Sequence, residues 1–155
     1  MGKYLVVANQ TLGGDQLMAE VRQRAAAGPS SFYVIVPNTR SSDVDEHRAT
    51  LIAQSRLNQA LNQLRSEGLD ARGDIGDPEP LTAIEEALAV QQFDEIIIST
   101  LPSGLSHWLR MDLPQRVERK FNRIHCAVPE VHGSRARDSK RLGIRLRVWI
   151  FSKAQ

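Results

Sequence analysis

The stretch LDARGDIGDPEPLTAIEEALAVQQFDEIII, residues 69–98, carries two strand patterns with a helix between them. Leu69–Ile75 alternates and is polar, as a strand does at a sheet edge where one side meets water. Asp77-Pro78 marks a helix start. Asp77 can accept from a free N–H of the first turn, and Pro78 fits there because its missing N–H has no partner in that turn anyway. Leu81, Ile84 and Leu88 fall on one helical stripe. Phe93–Ile98 then leads into a strand whose three isoleucines suit burial on both faces. Two strands joined through a helix lie parallel, with a right-handed crossover.

The same alternation extends in both directions. Tyr4–Ala8 (YLVVA) is a short apolar run suited to a strand buried on both faces. Gly13-Gly14-Asp15 opens a helix with Leu17, Met18, Val21 and Ala25 on one stripe and Arg22 and Arg24 looking outward. Gly28-Pro29 ends it. Phe32–Val36 (FYVIV) is the second strand, stopped by Pro37. Ser42 and Asp45 form a variant capping box. The long helix that follows has Val44, His47, Leu51, Leu57, Leu61 and Leu64 at near-helical spacing and Gly68 just past its end. His47 reads as a satisfied core or interface histidine. Gly104–Phe121 reads as helical with a break at Pro114, and Ile124–Val128 (IHCAV) as a short fifth strand.

The order βαβαβαβαβ implies an α/β fold, a three-layer sandwich with helices on both faces of a five-stranded parallel sheet. The apolar strands 1, 2 and 4 belong in the centre and the polar strand 3 at the rim, which predicts the order 3-2-1-4-5. The chain then reverses direction between strands 1 and 4. Ligands of open α/β sheets bind at that switch point, beyond the carboxyl ends of the strands.

Bulk properties place the chain among globular proteins. Its 155 residues are 41% hydrophobic and 25% charged, enough for one domain with its own core. Cys126 is the only cysteine, so no intrachain disulfide forms. There is no apolar run of the roughly 18 residues that a membrane span needs. Together with the missing leader signature, this predicts a cytoplasmic protein with no membrane role. Charge is uneven. Residues 1–128 hold 13 Lys and Arg against 16 Asp and Glu, and residues 129–155 hold 7 against 2. The division drawn from this is an α/β domain over 1–128 and a basic extension over 129–155. Within that extension Ile144, Leu146, Val148 and Ile150 alternate with larger or charged residues. It is either an added strand, a strand that pairs across a dimer, or a disordered tail.

Three stretches carry a family resemblance: YLVVANQT (Tyr4–Thr11), GDPEPLTAIEEAL (Gly76–Leu88) and FDEIIISTLPSGLSHWLRMDLPQRVERKF (Phe93–Phe121). As a set they resemble the universal stress protein family, whose fold belongs to the adenine-nucleotide-binding α/β group. The resemblance implies a stress-response role, a homodimer, and ATP or another adenine nucleotide as the ligand. Nucleotide-binding members carry Gly-x2-Gly-x9-Gly-[Ser/Thr] after strand 4. Glycines let the backbone approach phosphates, and N–H and hydroxyl groups donate to them. Here those positions are Ser99, Pro102, Asp112 and Leu113. Pro102 has no N–H, and Asp112 puts negative charge where phosphate would lie. At the end of strand 1, Asn9 stands for the family's Asp. The missing glycines argue against the usual ATP mode.

What replaces them is STLPSGLSHWLR (Ser99–Arg110), a loop rich in hydroxyls that leads into a helix. The ligand-binding candidates are Ala8, Asn9, Thr11, Val36, Ser99, Thr100, Ser103, Gly104, Ser106 and Arg110, holding a small anion or a differently posed nucleotide. The competing reading is a capped loop with Arg110 in solvent. No Ser/His/Asp or Cys/His set has supporting context, so no catalytic residue is assigned and a non-enzymatic role is favoured. A ligand-free dimeric interaction module is the alternative, and a nucleotide hydrolase or transferase the weakest. His125 and Cys126 are strand neighbours pointing to opposite faces, which argues against a metal site. Arg116, Arg119, Lys120 and Arg123 give a basic face without the interleaved aromatics of nucleic-acid readers. Glu85 and Glu86 read as a solvated face.

Overall fold

A computed structural model describes residues 1–38, 45–100, 112–120, 125–127 and 145–150. In chain order these form β1 (Gly2–Val7), α1 (Asp15–Ala27), β2 (Ser30–Pro37), α2 (Glu46–Ser66), β3 (Asp70–Gly76), α3 (Pro80–Val90), β4 (Glu95–Thr100), α4 (Leu113–Lys120), β5 (His125–Ala127) and β6 (Arg145–Ile150). Among the described residues no helix is long and apolar enough to cross a membrane.

The fold is α/β on a parallel sheet. β3, β2, β1 and β4 stand in that order, with the polar β3 at the rim. β1 is flanked on both sides, so Val6 lies opposite Val34 of β2 and Ile97 of β4. Its side chains alternate between two cores. Leu5 and Val7 pack with Ile35, Ile96, Ile98, Ile84 and Val117 on one face. Val6 and Ala8 pack with Phe32, Val34, Ile97, Leu17, Val21 and Leu57 on the other. Each fully buried Leu, Ile or Val contributes about 1.5–3 kcal/mol relative to exposure. A double-sided strand is therefore the most heavily anchored part of the domain.

The five-stranded order 3-2-1-4-5 is corrected beyond β4. There the order continues β4-β6-β5, all parallel. β5 has three residues, too few to satisfy the outer edge of a six-residue β4. The segment Arg145–Ile150 matches β4 in length and pairs with it from Glu95↔Arg145 to Thr100↔Ile150. Backbone satisfaction of a buried strand favours the partner of equal length.

Local boundaries also differ from expectation. α3 begins at Pro80, two residues later than Asp77-Pro78 suggested. Asp77 Oδ1 instead accepts from Glu79 N at 2.8 Å, closing a turn before the helix, and Pro80 takes the position where a missing N–H costs nothing. α2 begins at Glu46, with Asp45 accepting from His47 N. The Ser42 half of the predicted capping box, and Val44, lie outside the described residues. His47 is exposed and Leu51 is 57% exposed, because the buried stripe runs through Ala53, Leu57, Ala60, Leu61 and Leu64. The six-residue step from Leu51 to Leu57 had already left helical phase. The end of α2 is as read. Gly68 has φ 80, with Leu69 N donating to Leu64 O at 3.1 Å and Gly68 N to Arg65 O at 3.0 Å. This is the Schellman closure, which glycine enters without steric cost. Of the helix read over Gly104–Phe121, residues 112–120 are described, and Leu113–Lys120 of these are helical.

One outward assignment reverses. Arg24 is buried, and its guanidinium meets Glu95, at the amino end of β4, through Nη2 at 2.7 Å and Nε at 3.3 Å. Nη1 also donates to Glu20 Oε2 at 2.9 Å and Glu20 O at 3.0 Å. Tyr4 lies beneath the guanidinium, 6.0 Å from ring centroid to Cζ. A buried cation and a buried carboxylate each cost several kcal/mol alone, on the order given by ion desolvation, and are tolerated together.

Candidate ligand site at the carboxyl ends of the central strands

β1, β2 and β4 end on one rim of the sheet, and the chain reverses direction between β1 and β4. The sequence candidates within the described residues gather there. Ala8 and Val36 are fully buried and form the apolar floor below the rim. Ala8 N donates to Ile35 O at 3.3 Å, which continues the β1–β2 ladder past the last assigned strand residue. Ser99 and Thr100 are also buried, at the end of β4. Asn9 and Thr11 are partly exposed, in the turn after β1. That turn is closed by Leu12 N to Asn9 O and Gly14 N to Thr11 O, both at 3.1 Å. Ser103, Gly104, Ser106 and Arg110 lie outside the described residues, as do Pro102 and His107.

Two links organise the rim. The first joins the turn after β1 to β4. Thr11 Oγ1 donates to Ser99 O at 3.1 Å and lies 2.6 Å from Ser99 Oγ. A hydroxyl has one proton. With the Thr11 proton on the Ser99 carbonyl, the short contact is a bond donated by Ser99 Oγ. Both hydroxyl protons are then engaged within the protein. These two residues tie β1 to β4 and spend at least one of their two hydroxyl protons on each other.

The second link joins the ends of β1 and β2 to α2. Asn9 Nδ2 donates to Pro37 O at 3.0 Å, which turns Asn9 Oδ1 toward Arg56 Nη1 at 2.6 Å. The Pro37 carbonyl is an acceptor only, so it fixes which end of the amide faces the arginine. Asn38, next in the chain, donates its side-chain amide to Thr50 Oγ1 at 2.9 Å, and its backbone N–H to Gly76 O at 3.1 Å. Thr50 in turn donates to Glu46 O at 2.9 Å. The β2–α2 connection is thus pinned at both ends by side chains.

Arg56, Asn38 and Thr50 were not among the sequence candidates. Arg56 adjoins Leu57, a core residue, so helical spacing assigns it to the margin of the buried stripe. In a parallel βαβ unit the helix starts at the carboxyl rim of the sheet, and helix side chains lean toward the helix amino end. A long side chain beside the stripe near the middle of α2 therefore leans back toward the rim. That is the only signal in the sequence.

Asp112 stands where the resemblance wants a glycine. Its φ is 52, in the left-handed region, which glycine enters freely and most other residues at a cost of about 1–2 kcal/mol, with Asp and Asn better tolerated. The backbone there keeps the conformation that a glycine would favour, while the side chain brings a carboxylate. Asp112 O accepts from Arg116 N at 2.9 Å and starts α4.

The basic face of α4 is partly neutralised. Arg116 Nη1 pairs with Glu79 at 3.2 Å and Lys120 Nζ with Glu85 at 2.6 Å, so α4 is clamped to α3. Glu85 is therefore a partner of Lys120 rather than a purely solvated residue. Arg123 lies outside the described residues. Among the described residues no three His, Cys, Asp or Glu side chains converge as metal ligands would.

No protein-family model matches the chain, and no curated protein is similar enough in sequence to count as a relative. The site must be judged on its own geometry.

Proposed function

We propose that this chain is a universal-stress-protein-like, non-enzymatic domain that binds a small anionic ligand, a phosphate or a nucleotide among the candidates, at the carboxyl rim between β1 and β4. The observation that carries this reading is the convergence of Asn9, Thr11, Ser99 and the Arg56 guanidinium on the rim where the strand order reverses. Open parallel sheets expose their crevice at that place, and a guanidinium held there favours negative charge. The 3-2-1-4 arrangement of β3, β2, β1 and β4 is compatible with the family resemblance of Tyr4–Thr11, Gly76–Leu88 and Phe93–Phe121.

Thermal shift and calorimetry with ATP, ADP, AMP and inorganic phosphate test the reading. A ligand present at 100 times its Kd stabilises by about 2.7 kcal/mol, which raises Tm by roughly 5–11 °C for a chain of this size. Absence of any shift with all four compounds refutes it. Phosphate release from ATP by the wild type would refute the non-enzymatic part alone.

A further inference from the structure

Among the described residues, Arg56 is a cation at the rim whose hydrogen-bonding capacity is largely unassigned, and the groups around it explain why. We infer that Arg56 is the residue that reads the ligand's charge, and that the ligand presents two oxygens of one anionic group, a phosphate or a carboxylate, to its guanidinium. The inference rests on the ligand-binding reading above and names the residue that confers it.

Two of the hydroxyls that the sequence singled out, Thr11 and Ser99, are engaged with each other. Thr11 Oγ1 donates to Ser99 O at 3.1 Å, and the 2.6 Å contact between the two hydroxyls takes its proton from one or the other. Asn9 places its NH2 on the Pro37 carbonyl and faces Arg56 with its oxygen. Among the described side chains placed at the rim, Arg56 has the largest donor capacity. A guanidinium has five N–H groups in a flat fork, and Arg56 uses Nη1 on Asn9. Among the described residues no carboxylate pairs with it. Its neighbour is instead a neutral amide, which holds the fork in place and leaves its positive charge uncompensated. Arg22, Arg24 and Arg116 each meet a glutamate, whereas Arg56 meets the Asn9 amide, just as Arg65 and Arg119 meet backbone carbonyls. Asn9 also connects Arg56 to the carbonyl of Pro37 at the end of β2, so the guanidinium is pre-positioned over the ends of two strands. A fork held by one of its edges and unpaired at the others matches the two-oxygen edge of phosphate or carboxylate. A lysine ammonium carries the same charge without that geometry.

The competing role is a clip that fastens α2 to β1 and does nothing else. Binding measured beside stability separates the two. Wild type, Arg56→Gln and Arg56→Lys are titrated calorimetrically with inorganic phosphate, AMP, acetate and succinate, and urea midpoints are recorded for all three proteins. The expected result is a roughly 10–100-fold weaker affinity in Arg56→Gln, the size of a lost charge-assisted hydrogen-bond pair, with the urea midpoint nearly unchanged. Arg56→Lys is expected to weaken binding by about 10-fold, since charge remains and the fork is lost. Phosphate and AMP responding without acetate or succinate assigns the group as phosphate, and the converse assigns carboxylate. Wild-type binding that Arg56→Gln retains overturns the assignment of Arg56 and leaves the proposed function standing. A wild type that binds none of the probes overturns both. If Arg56→Gln fails to fold, Arg56→Lys decides: folded protein with unchanged affinity overturns the inference, and weakened affinity supports it.

Discussion

Arg24→Met removes the cation from the amino end of β4 and keeps the methylene volume of the side chain. Glu95, 4% exposed, then loses the bonds from Arg24 Nη2 at 2.7 Å and Nε at 3.3 Å. Charge-assisted hydrogen bonds contribute roughly 1.5–3 kcal/mol each, and removing one partner of a buried ion pair costs about 3–5 kcal/mol. Both routes give a loss of about 3–5 kcal/mol, since the bond at 3.3 Å is the weaker of the two. For a chain of this size that lowers Tm by roughly 6–20 °C. The companion variant Glu95→Leu strands the Arg24 cation and costs a similar amount, reduced because Glu20 still holds Nη1. The double variant Arg24→Met/Glu95→Leu removes both charges from an apolar surround and should recover to within about 1–2 kcal/mol of wild type. Urea unfolding of the four proteins, with m-values compared, gives the coupling energy. A single-variant loss below about 1 kcal/mol, or two losses that simply add in the double variant, would refute the account of the pair as a mutually dependent buried ion pair.

Two further outcomes follow from groups away from that pair. Tyr33 donates to Asp74 of β3, and burial together with the Asp74 hydrogen bond and charge pushes its phenol up from 10.0 to about 12. Because the folded state favours the neutral phenol, the stability it contributes is complete below pH 10 and is lost as pH rises toward about 12; phenolate absorbance should show a late-titrating tyrosine that disappears in Tyr33→Phe, and its persistence there would contradict the assignment. Asp112→Gly should be neutral or stabilising by up to about 1 kcal/mol, since the left-handed backbone is already present, and it should tighten ATP binding by removing a negative charge; a destabilisation in urea unfolding, or weaker ATP binding by calorimetry, would count against the site.

Much of the layout was legible because strand burial and helix periodicity are local signals. Leu5, Val6 and Val7 form an apolar run only a doubly covered strand needs, and Gly73 and Asp74 in β3 mark a rim. The placement of β6 was not legible, since it depends on the length match between Arg145–Ile150 and β4. Arg24 is a subtler case. It lies seven residues after Leu17, on the buried stripe, and only its charge suggested solvent. Glu95 opens a strand that is buried throughout. Each is anomalous alone, and the pair accounts for both. Arg56 and Asn9 are 47 residues apart, and no periodicity links them. The carboxyl rim was legible as a candidate location, while the placement of Arg56 against Asn9 there was not. Hydroxyls attract a sequence reader, but Thr11 and Ser99 satisfy each other.

The buried pair and the rim occupy opposite ends of β4. Glu95 and Ser99 are four residues apart along an extended strand, about 13 Å at 3.3 Å per residue. Substitutions separated by more than about 7–10 Å without shared partners usually add. The amino end of the sheet can therefore hold stability constant while the carboxyl end changes its chemistry. Evolution, or an engineer, can redraw the rim around Asn9 and Arg56 without reopening the question of whether the domain folds.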